Sequence, residues 1–155
     1  MLFGKKRKEA YVAFMAGKLL SLEKVNDPVF SQKIMGDGFA IEPSQGEVVA
    51  PCEGEVVTVF PTGHAYGLKQ KSGRELLIHL GIDTVELKGR GFKTFVSEGQ
   101  KVKTGEILGE IDLAVVKESG KEVTSMLIFT NGGVVEFLKE NQPVELGEQN
   151  IIKVK

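Results

Sequence analysis

The sequence contains no tryptophan, one cysteine and only two histidines among 155 residues. The single cysteine, Cys52, cannot form a disulfide within the chain, so we expect a reducing compartment, the cytoplasm. No apolar run reaches the roughly 18 residues that a membrane-spanning helix requires. The formal net charge of -1 does not indicate nucleic acid as a bulk partner. Few side chains are therefore available for nucleophilic or metal chemistry.

Basic residues are concentrated near the N-terminus, where positions 5–8 read Lys-Lys-Arg-Lys. We predict that residues 1–9 form a flexible tail, and a weak contact of this tail with a membrane surface is the alternative interpretation. Residues 10–155 have a normal length for one domain, and a hydrophobic content of 41% over the chain suffices for a core.

The abundance of glycine, 19 residues, indicates β-structure, because many of these glycines separate short apolar runs. The pattern predicts an all-β fold, an antiparallel sandwich or barrel with a few short helical turns. Helical turns are predicted at Asp27–Ile34, Asp112–Lys117 and Val134–Asn141, with Asp27 as N-cap and Pro28 at the first position of its turn. The predicted strands are Ala10–Met15, Lys18–Val25, Phe39–Pro43, Glu47–Ala50, Glu55–Phe60, Gly67–Lys71, Glu75–Leu80, Phe92–Val96, Glu106–Ile111, Val123–Phe129 and Ile151–Val154.

A faint internal repeat links two of these strands. Gly17-Lys-Leu-Leu-Ser-Leu is similar to Gly54-Glu-Val-Val-Thr-Val, and each begins with a small turn residue. The repeat indicates either two related β-motifs packed together or chance, since any β-domain alternates turns with apolar runs.

The two histidines, His64 and His79, lie on either side of a predicted hairpin turn at Ser72-Gly73. A two-residue loop there would pair Tyr66 with His79, whereas a four-residue loop over 70–73 would pair His64 with His79. Both registers place the two rings on one face of the sheet, because side chains alternate with period two. We therefore predict a functional histidine pair.

Few chemistries suit such a pair. A zinc site usually needs four ligands, or three and a water, and no third ligand is evident in the sequence. Catalysis by a cysteine needs a neighbouring base, and Cys52 has none nearby in the sequence. The remaining chemistry is an imidazole nucleophile, which needs its second nitrogen pinned by an acceptor and a donor for the incoming anionic oxygens.

Several stretches of the sequence resemble the glucose-family IIA phosphocarriers of the bacterial phosphoenolpyruvate-dependent sugar phosphotransferase system. The resemblance extends from about Tyr11 to the C-terminus, and the long stretch around His79 is its most specific part. The matching stretches are Gly36–Gly38, Val49–Gly54, Thr62–Ala65, Ile78–Gly89 and Glu98–Gly105. The resemblance implies an antiparallel β-sandwich or barrel of the duplicated hybrid motif type.

The same resemblance implies that a phosphoryl group passes from a phosphohistidine of the carrier HPr to this chain, then to a cysteine of the IIB domain, and finally to sugar entering through IIC. It identifies His79 as the acceptor at Nε2, with Nδ1 held by the carbonyl of Gly81. His64 is implied to stabilise the phosphate, and Thr62 to support His64. The resemblance implies no cofactor and no intrinsic metal, although His64 and His79 are candidate ligands of a zinc ion shared with a partner.

A shallow apolar dish around the histidines is also implied by the resemblance. Asp27 and Asp83 match carboxylates on its rim that receive arginines of HPr. The chain departs from the family pattern at Leu77 and Leu80, where the pattern has phenylalanine, and this should soften the dish. The apolar positions that match the dish are Phe30, Ile34, Met35, Phe60, Leu77 and Val85.

Two other functions stay open at this point. A regulatory module that binds and controls other sugar-uptake proteins would have the same fold. A lipoyl or biotinyl carrier is suggested by Glu98–Leu108, which resembles a turn of those domains. Such carriers need a lysine at a hairpin tip flanked by Met or Asp, and the sequence contains no such tripeptide.

Overall fold

The computed structural model describes residues 10–155, so the tail predicted at 1–9 lies outside the described residues. The described part forms thirteen short strands, and its helices are α1 (Pro28–Ser31), α2 (Leu113–Glu118) and 3-10 helices at Leu22–Lys24 and Thr84–Leu87. Each of these helices is too short to cross a bilayer. The strands are β1 (Gly17–Leu20), β2 (Gly38–Pro43), β3 (Glu47–Val49), β4 (Gly54–Val59), β5 (Ala65–Lys69), β6 (Glu75–His79), β7 (Phe92–Thr94), β8 (Lys101–Val102), β9 (Ile107–Ile111), β10 (Ser125–Phe129), β11 (Val135–Phe137), β12 (Pro143–Val144) and β13 (Ile152–Val154).

Three antiparallel sheets share one hydrophobic core. The largest has eight strands in the order β12-β1-β2-β10-β6-β5-β4-β8, and the others are β3-β9-β7 and β11-β13. Ile78 of the large sheet, Leu108 of the second and Ile152 of the third all belong to the same buried cluster. Because the large sheet ends at β12 and β8, it does not close into a barrel. The all-β prediction is confirmed, and the architecture is sandwich-like.

The large sheet has a mirrored strand order. Counted from the two edges, β1 and β4 are both second, β2 and β5 both third, and β10 and β6 meet at the centre. Gly17 and Gly54, the first residues of the repeat, open the equivalent strands β1 and β4. This arrangement supports the interpretation of the repeat as two related β-motifs packed together.

The central strand β6 packs against apolar residues on both of its faces. Leu76 and Ile78 point into the main core, whereas Leu77 packs against a smaller apolar cluster on the opposite face. By alternation, His79 lies on the same face as Leu77. Leu80 belongs to the main core and is fully buried. Its difference from the phenylalanine of the family pattern therefore does not alter the predicted apolar dish around the histidines. The smaller cluster consists of Leu22, Val25, Phe30, Ala40, Ile82, Met126 and Ile128.

Helix α1 covers this smaller cluster. Its N-cap is Asp27, whose Oδ1 accepts a hydrogen bond from the backbone N–H of Val29 at 2.9 Å, and Pro28 occupies the first helical position. The predicted cap is confirmed. Phe30 is the buried residue of the helix, and its packing places α1 beside the end of β6.

The predicted hairpin registers between the histidines are both wrong. Lys69 pairs with Glu75 and Ala65 with His79, so residues 70–74 form a five-residue connection. Asn131 holds this wider loop, since its side chain accepts from the N–H of Glu75 at 2.8 Å and donates to the carbonyl of Gly73 at 2.9 Å. A side chain from a distant strand connection therefore supports this loop, in addition to the loop's own bond from the N–H of Gln70 to the carbonyl of Arg74 at 2.8 Å.

Three other predicted elements also differ from the structure. The strand predicted at Lys18–Val25 ends at Leu20, and Leu22–Lys24 forms a 3-10 helix. Val134–Asn141 is not helical, because β11 within it pairs with β13 through Val135 and Val154. Ala10–Met15 forms no strand, although Tyr11 and Phe14 within it are buried. Its backbone bonds instead to separate loops, with the N–H of Val12 donating to the carbonyl of Pro51 at 2.9 Å.

Candidate functional site

The two histidine rings meet at the end of β6, on the face of the smaller cluster. Their centroids are 5.2 Å apart and their planes are inclined by 78°. Phe30 lies 5.1 Å from the ring of His79, and Phe60 lies 5.3 Å from the ring of His64. The pair is thus held between two aromatic side chains from different parts of the chain.

The orientation of His79 is set by the loop that follows β6. Its Nδ1 lies 2.9 Å from the carbonyl oxygen of Gly81. A carbonyl oxygen only accepts hydrogen bonds, so Nδ1 must carry the proton. In the neutral ring the lone pair is then on Nε2, and the acceptor predicted for the second nitrogen is present.

Gly81 is required at its position for two reasons. Its φ of +76° lies in the left-handed region, which glycine adopts readily. A Cβ there would also lie 2.5 Å from Cγ2 of Thr84 and 2.9 Å from the carbonyl oxygen of Glu122. A larger residue would displace the carbonyl that orients His79.

His64 reaches the site by a route that strand alternation does not describe. It precedes β5 and follows Gly63, whose φ is +71°, at a turn closed by the N–H of Gly63 donating to the carbonyl of Phe60 at 2.7 Å. The carbonyl of His64 accepts from the N–H of Leu80 at 2.7 Å. The predicted proximity of the rings is confirmed, but the turn at Gly63 produces it rather than a shared strand face.

Thr62 fixes the ring of His64. Its hydroxyl Oγ1 forms a short hydrogen bond with Nδ1 of His64. When the hydroxyl donates this bond, the proton of the neutral His64 ring is on Nε2. The two histidines then hold opposite tautomers, with a donor at Nε2 of His64 and a lone pair at Nε2 of His79.

Burial keeps both histidines neutral. His64 is only 4% exposed, and desolvation, followed by the repulsion of a charged His79, lowers its pKa to about 4. Burial also lowers the pKa of His79, although the hydrogen bond to Gly81 and the charges of Asp27 and Asp83 act in the opposite direction. Both rings therefore carry lone pairs near pH 7.

The remaining predicted dish residues vary in exposure. Leu77 is half-buried against the smaller cluster. Ile34, Met35 and Val85 are exposed at 66%, 38% and 54% respectively, and Phe60 at 36%. Ile34 and Met35 follow α1, and Val85 lies in the 3-10 helix directly after Asp83, so both segments that adjoin the pair present apolar side chains to solvent.

Two hydroxyl residues at the site were not predicted from the sequence. Thr84 Oγ1 donates to the carbonyl of Leu80 at 2.5 Å, and Ser125 Oγ accepts from the N–H of Gly81 at 3.2 Å. For Thr84, the only local signal was its spacing of four residues after Leu80, which allows a hydroxyl to bond to the earlier carbonyl. Ser125 belongs to a different strand, so sequence spacing could not reveal it.

No group of three or more His, Cys, Asp or Glu side chains among residues 10–155 is arranged to hold a metal ion. The histidine pair provides two nitrogen ligands, which is half of a tetrahedral zinc site. A zinc ion at this pair would need further ligands from another molecule.

Known proteins resemble this chain in both sequence and fold. The family model of the phosphoenolpyruvate-dependent sugar phosphotransferase system, EIIA 1, matches residues 9–135. A glucose-specific EIIA component of Halalkalibacterium halodurans is 44% identical over 151 residues, covering 96% of this chain and 87% of the relative. The solved glucose permease IIA of Mycoplasma capricolum superimposes with a TM-score of 0.87 and 39% identity, covering 99% of this chain and 98% of that chain.

Some relatives are much longer proteins. The glucose-specific EIICBA component of Streptococcus pneumoniae is 46% identical over 123 residues, which are 79% of this chain and only 17% of that relative. The matched family model, the extensive identity to freestanding relatives and the common fold lead to one conclusion. The chain belongs to the EIIA family of the phosphoenolpyruvate-dependent sugar phosphotransferase system, whose members are phosphotransferases of sugar uptake.

Proposed function

We propose that His79 accepts a phosphoryl group at Nε2 from a phosphohistidine of HPr and passes it to a cysteine of the IIB domain. The observation that carries this proposal is the hydrogen bond from His79 Nδ1 to the carbonyl of Gly81, at 2.9 Å. It leaves the lone pair of the neutral ring on Nε2, in a ring whose centroid lies 5.2 Å from that of His64. Since Nε2 holds no proton, no separate base is required.

In the first transfer, a phosphorus–nitrogen bond forms at His79 Nε2 while the bond to the donor histidine breaks and its electron pair returns to the donor ring. The reaction needs a group that stabilises charge on the phosphoryl oxygens. Nε2–H of His64 serves as that donor, because Thr62 occupies its Nδ1. In the second transfer, the bond to His79 breaks and a phosphorus–sulfur bond forms at the IIB cysteine.

The surface around the pair suits a transient partner. Asp27 and Asp83 lie close enough to His79 to influence its pKa, so a cationic surface of HPr approaching the ring would find both carboxylates. Exposed Ile34, Met35 and Val85 exclude water from the docked interface. The same surface serves the IIB part of an IIB/IIC sugar permease, since one atom of His79 must both receive the phosphoryl group from HPr and present it to the IIB cysteine.

The proposed reaction uses no resident cofactor, and any zinc at His64 and His79 would be shared with a partner protein that completes its coordination. We place the reaction in the cytoplasm, where the lone thiol of Cys52 stays reduced. Regulation of other sugar-uptake proteins through the same apolar surface is compatible with this role.

The test is phosphorylation of the purified chain by phosphoenolpyruvate, enzyme I and HPr, followed by intact mass and acid treatment. We expect one acid-labile phosphate on the wild-type chain and none on His79→Gln. His64→Gln should still take up the phosphate, more slowly than the wild type, and should transfer it to IIB on the order of a hundredfold more slowly, because the acceptor remains while the imidazole donor positioned by Thr62 is replaced by a flexible amide. Stable labelling of His79→Gln would refute the assignment of the acceptor.

A further inference from the structure

Two buried hydroxyls hold the peptide group between Leu80 and Gly81 from opposite sides. Its oxygen accepts from Oγ1 of Thr84 at 2.5 Å, and its N–H donates to Oγ of Ser125 at 3.2 Å. Both Thr84 and Ser125 are fully buried. Buried hydrogen bonds of this kind are costly to break, because a group that loses its partner is not rehydrated.

The next peptide group is the one that orients the acceptor. Its oxygen, the carbonyl of Gly81, accepts from His79 Nδ1, and its N–H, from Ile82, donates to the carbonyl of Glu122 at 3.0 Å. Gly81 joins the two peptide groups at a φ of +76°. Glycine alone does not hold such a conformation, since it populates positive and negative φ about equally. The conformation of Gly81 must be set by its neighbours.

The hydrogen bonds of Ser125 have a fixed direction. Its hydroxyl donates to the carbonyl of Val123 at 2.9 Å, so its lone pairs face the N–H of Gly81. The residue stands at the start of β10, and the next residue, Met126, pairs with His79 of β6. Ser125 therefore ties the loop that orients His79 to the central strand beside it.

We propose that Ser125 and Thr84 are positioning residues that set the tautomer of His79 by holding the Leu80–Gly81 peptide group. When this peptide group is released, Gly81 gains access to other conformations and its carbonyl leaves Nδ1 of His79 for part of the time. A neutral imidazole without a fixed acceptor favours the tautomer with its proton on Nε2. The nucleophilic lone pair is then absent from the position where the phosphoryl group must bind.

The experiment measures the tautomer directly, in the full chain labelled with 15N at histidine, by long-range 1H–15N correlation at pH 8. In the wild type we expect His79 Nδ1 to have the shift of a protonated nitrogen and Nε2 that of an unprotonated one. In Ser125→Ala and Thr84→Val the two shifts should move toward each other. Thr84→Ser, which keeps the hydroxyl, should restore the wild-type values.

A matched control removes a neighbouring hydroxyl that does not contact the loop. Thr124 precedes Ser125 and donates to Oε2 of Glu42 at 2.5 Å, so Thr124→Val should leave the His79 shifts unchanged. Equal shift changes in Thr124→Val, or unchanged shifts in both Ser125→Ala and Thr84→Val, would overturn the proposal. If Ser125→Ala does not fold, the contrast between Thr84→Val and Thr84→Ser decides the question.

A kinetic readout rests on the proposed phosphoryl transfer. For Ser125→Ala we expect kcat of uptake from phospho-HPr to fall about tenfold with KM unchanged, because the docking surface is intact and one buried hydrogen bond is lost. If the wild-type chain takes up no phosphate, but the His79 shifts change as expected in Ser125→Ala and Thr84→Val, the proposed function is refuted and the positioning role stands. Normal phosphate uptake by the wild type, together with unchanged His79 shifts in both Ser125→Ala and Thr84→Val, would refute the positioning role and leave the proposed function standing.

Discussion

His64 is a base that the fold holds neutral. Its ring lies between Phe60 and His79, and its Nδ1 bonds to Thr62. A proton on this ring would be poorly hydrated, which is why burial lowers its pKa to about 4. In the unfolded chain the same ring regains its ordinary value of about 6.5.

This difference predicts how stability depends on pH. Between pH 6.5 and 4 the unfolded chain binds a proton at His64 that the folded chain does not, so stability is complete above this window and is lost as the pH falls through it. From pH 7.5 to 5.5 the loss due to His64 should be about 1 kcal/mol. Urea unfolding at both pH values measures it, and His64→Gln is the control.

The control variant should lose about 1 kcal/mol less than the wild type over this range, since it has no ring to protonate at position 64. The lowered pKa of His79 acts in the same direction and remains in both proteins. An equal loss in the two proteins would show that His64 keeps its ordinary pKa in the folded chain.

Some residues of the site could be predicted from the sequence, and others could not. His64 and His79 were found because they are the only two histidines, so their pairing needed no alignment. The roles of Thr62 and Gly81 came from the family resemblance. Ser125 was missed because its contact with Gly81 crosses from β10 to the loop after β6, and no periodicity records such a contact.

At the level of elements, Asp27 has two roles in one short helix. Its side chain caps α1 by accepting from the N–H of Val29, and its charge acts on His79. Asparagine keeps an oxygen for the cap and removes the charge, whereas alanine removes both. The two substitutions therefore separate the structural role from the electrostatic one.

We expect Asp27→Asn to leave the free energy of unfolding within about 0.5 kcal/mol of the wild type, and Asp27→Ala to lower it by about 1 kcal/mol. Both should slow association with phospho-HPr several-fold at low salt, because rim charges steer encounter. Urea unfolding and stopped-flow kinetics at two ionic strengths measure these effects. A slowing of association that persists unchanged at high salt would contradict the electrostatic role.

The predicted elements succeeded where their signals are local. The cap of α1 was correct because Asp27 and Pro28 are adjacent and act within one turn. The helix over 134–141 was wrong because β13, which pairs with β11, offers backbone partners that a local pattern cannot show. The predicted hairpin registers were also wrong, and part of the support for the observed loop, the side chain of Asn131, comes from outside the hairpin.

At the scale of the whole molecule, the two halves of the large sheet have equivalent strand positions, but their first glycines differ in the space available for a side chain. Gly17 and Gly54 open equivalent strands, yet a Cβ at Gly17 would lie 2.1 Å from the carbonyl oxygen of Glu42. A Cβ at Gly54 would lie 2.9 Å from the carbonyl oxygen of Lys69. Both contacts involve backbone oxygens and require a neighbouring strand to move, but the approach at Gly17 is 0.8 Å closer than at Gly54, so the movement must be larger there.

We therefore expect Gly17→Ala to cost about 3 kcal/mol of stability and Gly54→Ala about 1 kcal/mol. Chemical denaturation of the two variants gives the comparison. Phosphate uptake per folded molecule should be normal in both, because neither glycine belongs to the histidine site. An equal cost at the two positions would show that backbone spacing does not distinguish the two halves.

The all-β class could be predicted because glycines and short apolar runs record it along the whole chain. The choice between sandwich and barrel could not, because it depends on whether β12 and β8 meet, and these two-residue strands have no recognisable signal.

His79, the proposed acceptor, belongs to β6, which lies at the middle of an eight-stranded sheet, three strands away from the edge at β8. Proteins open locally at free energies well below that of global unfolding, and the edge strands of a sheet open before its centre. Fraying at either margin of this sheet leaves His79 in place. Each partner of the proposed transfer would then meet a ring that is already aligned, and little of the binding free energy of that encounter would be consumed in ordering it.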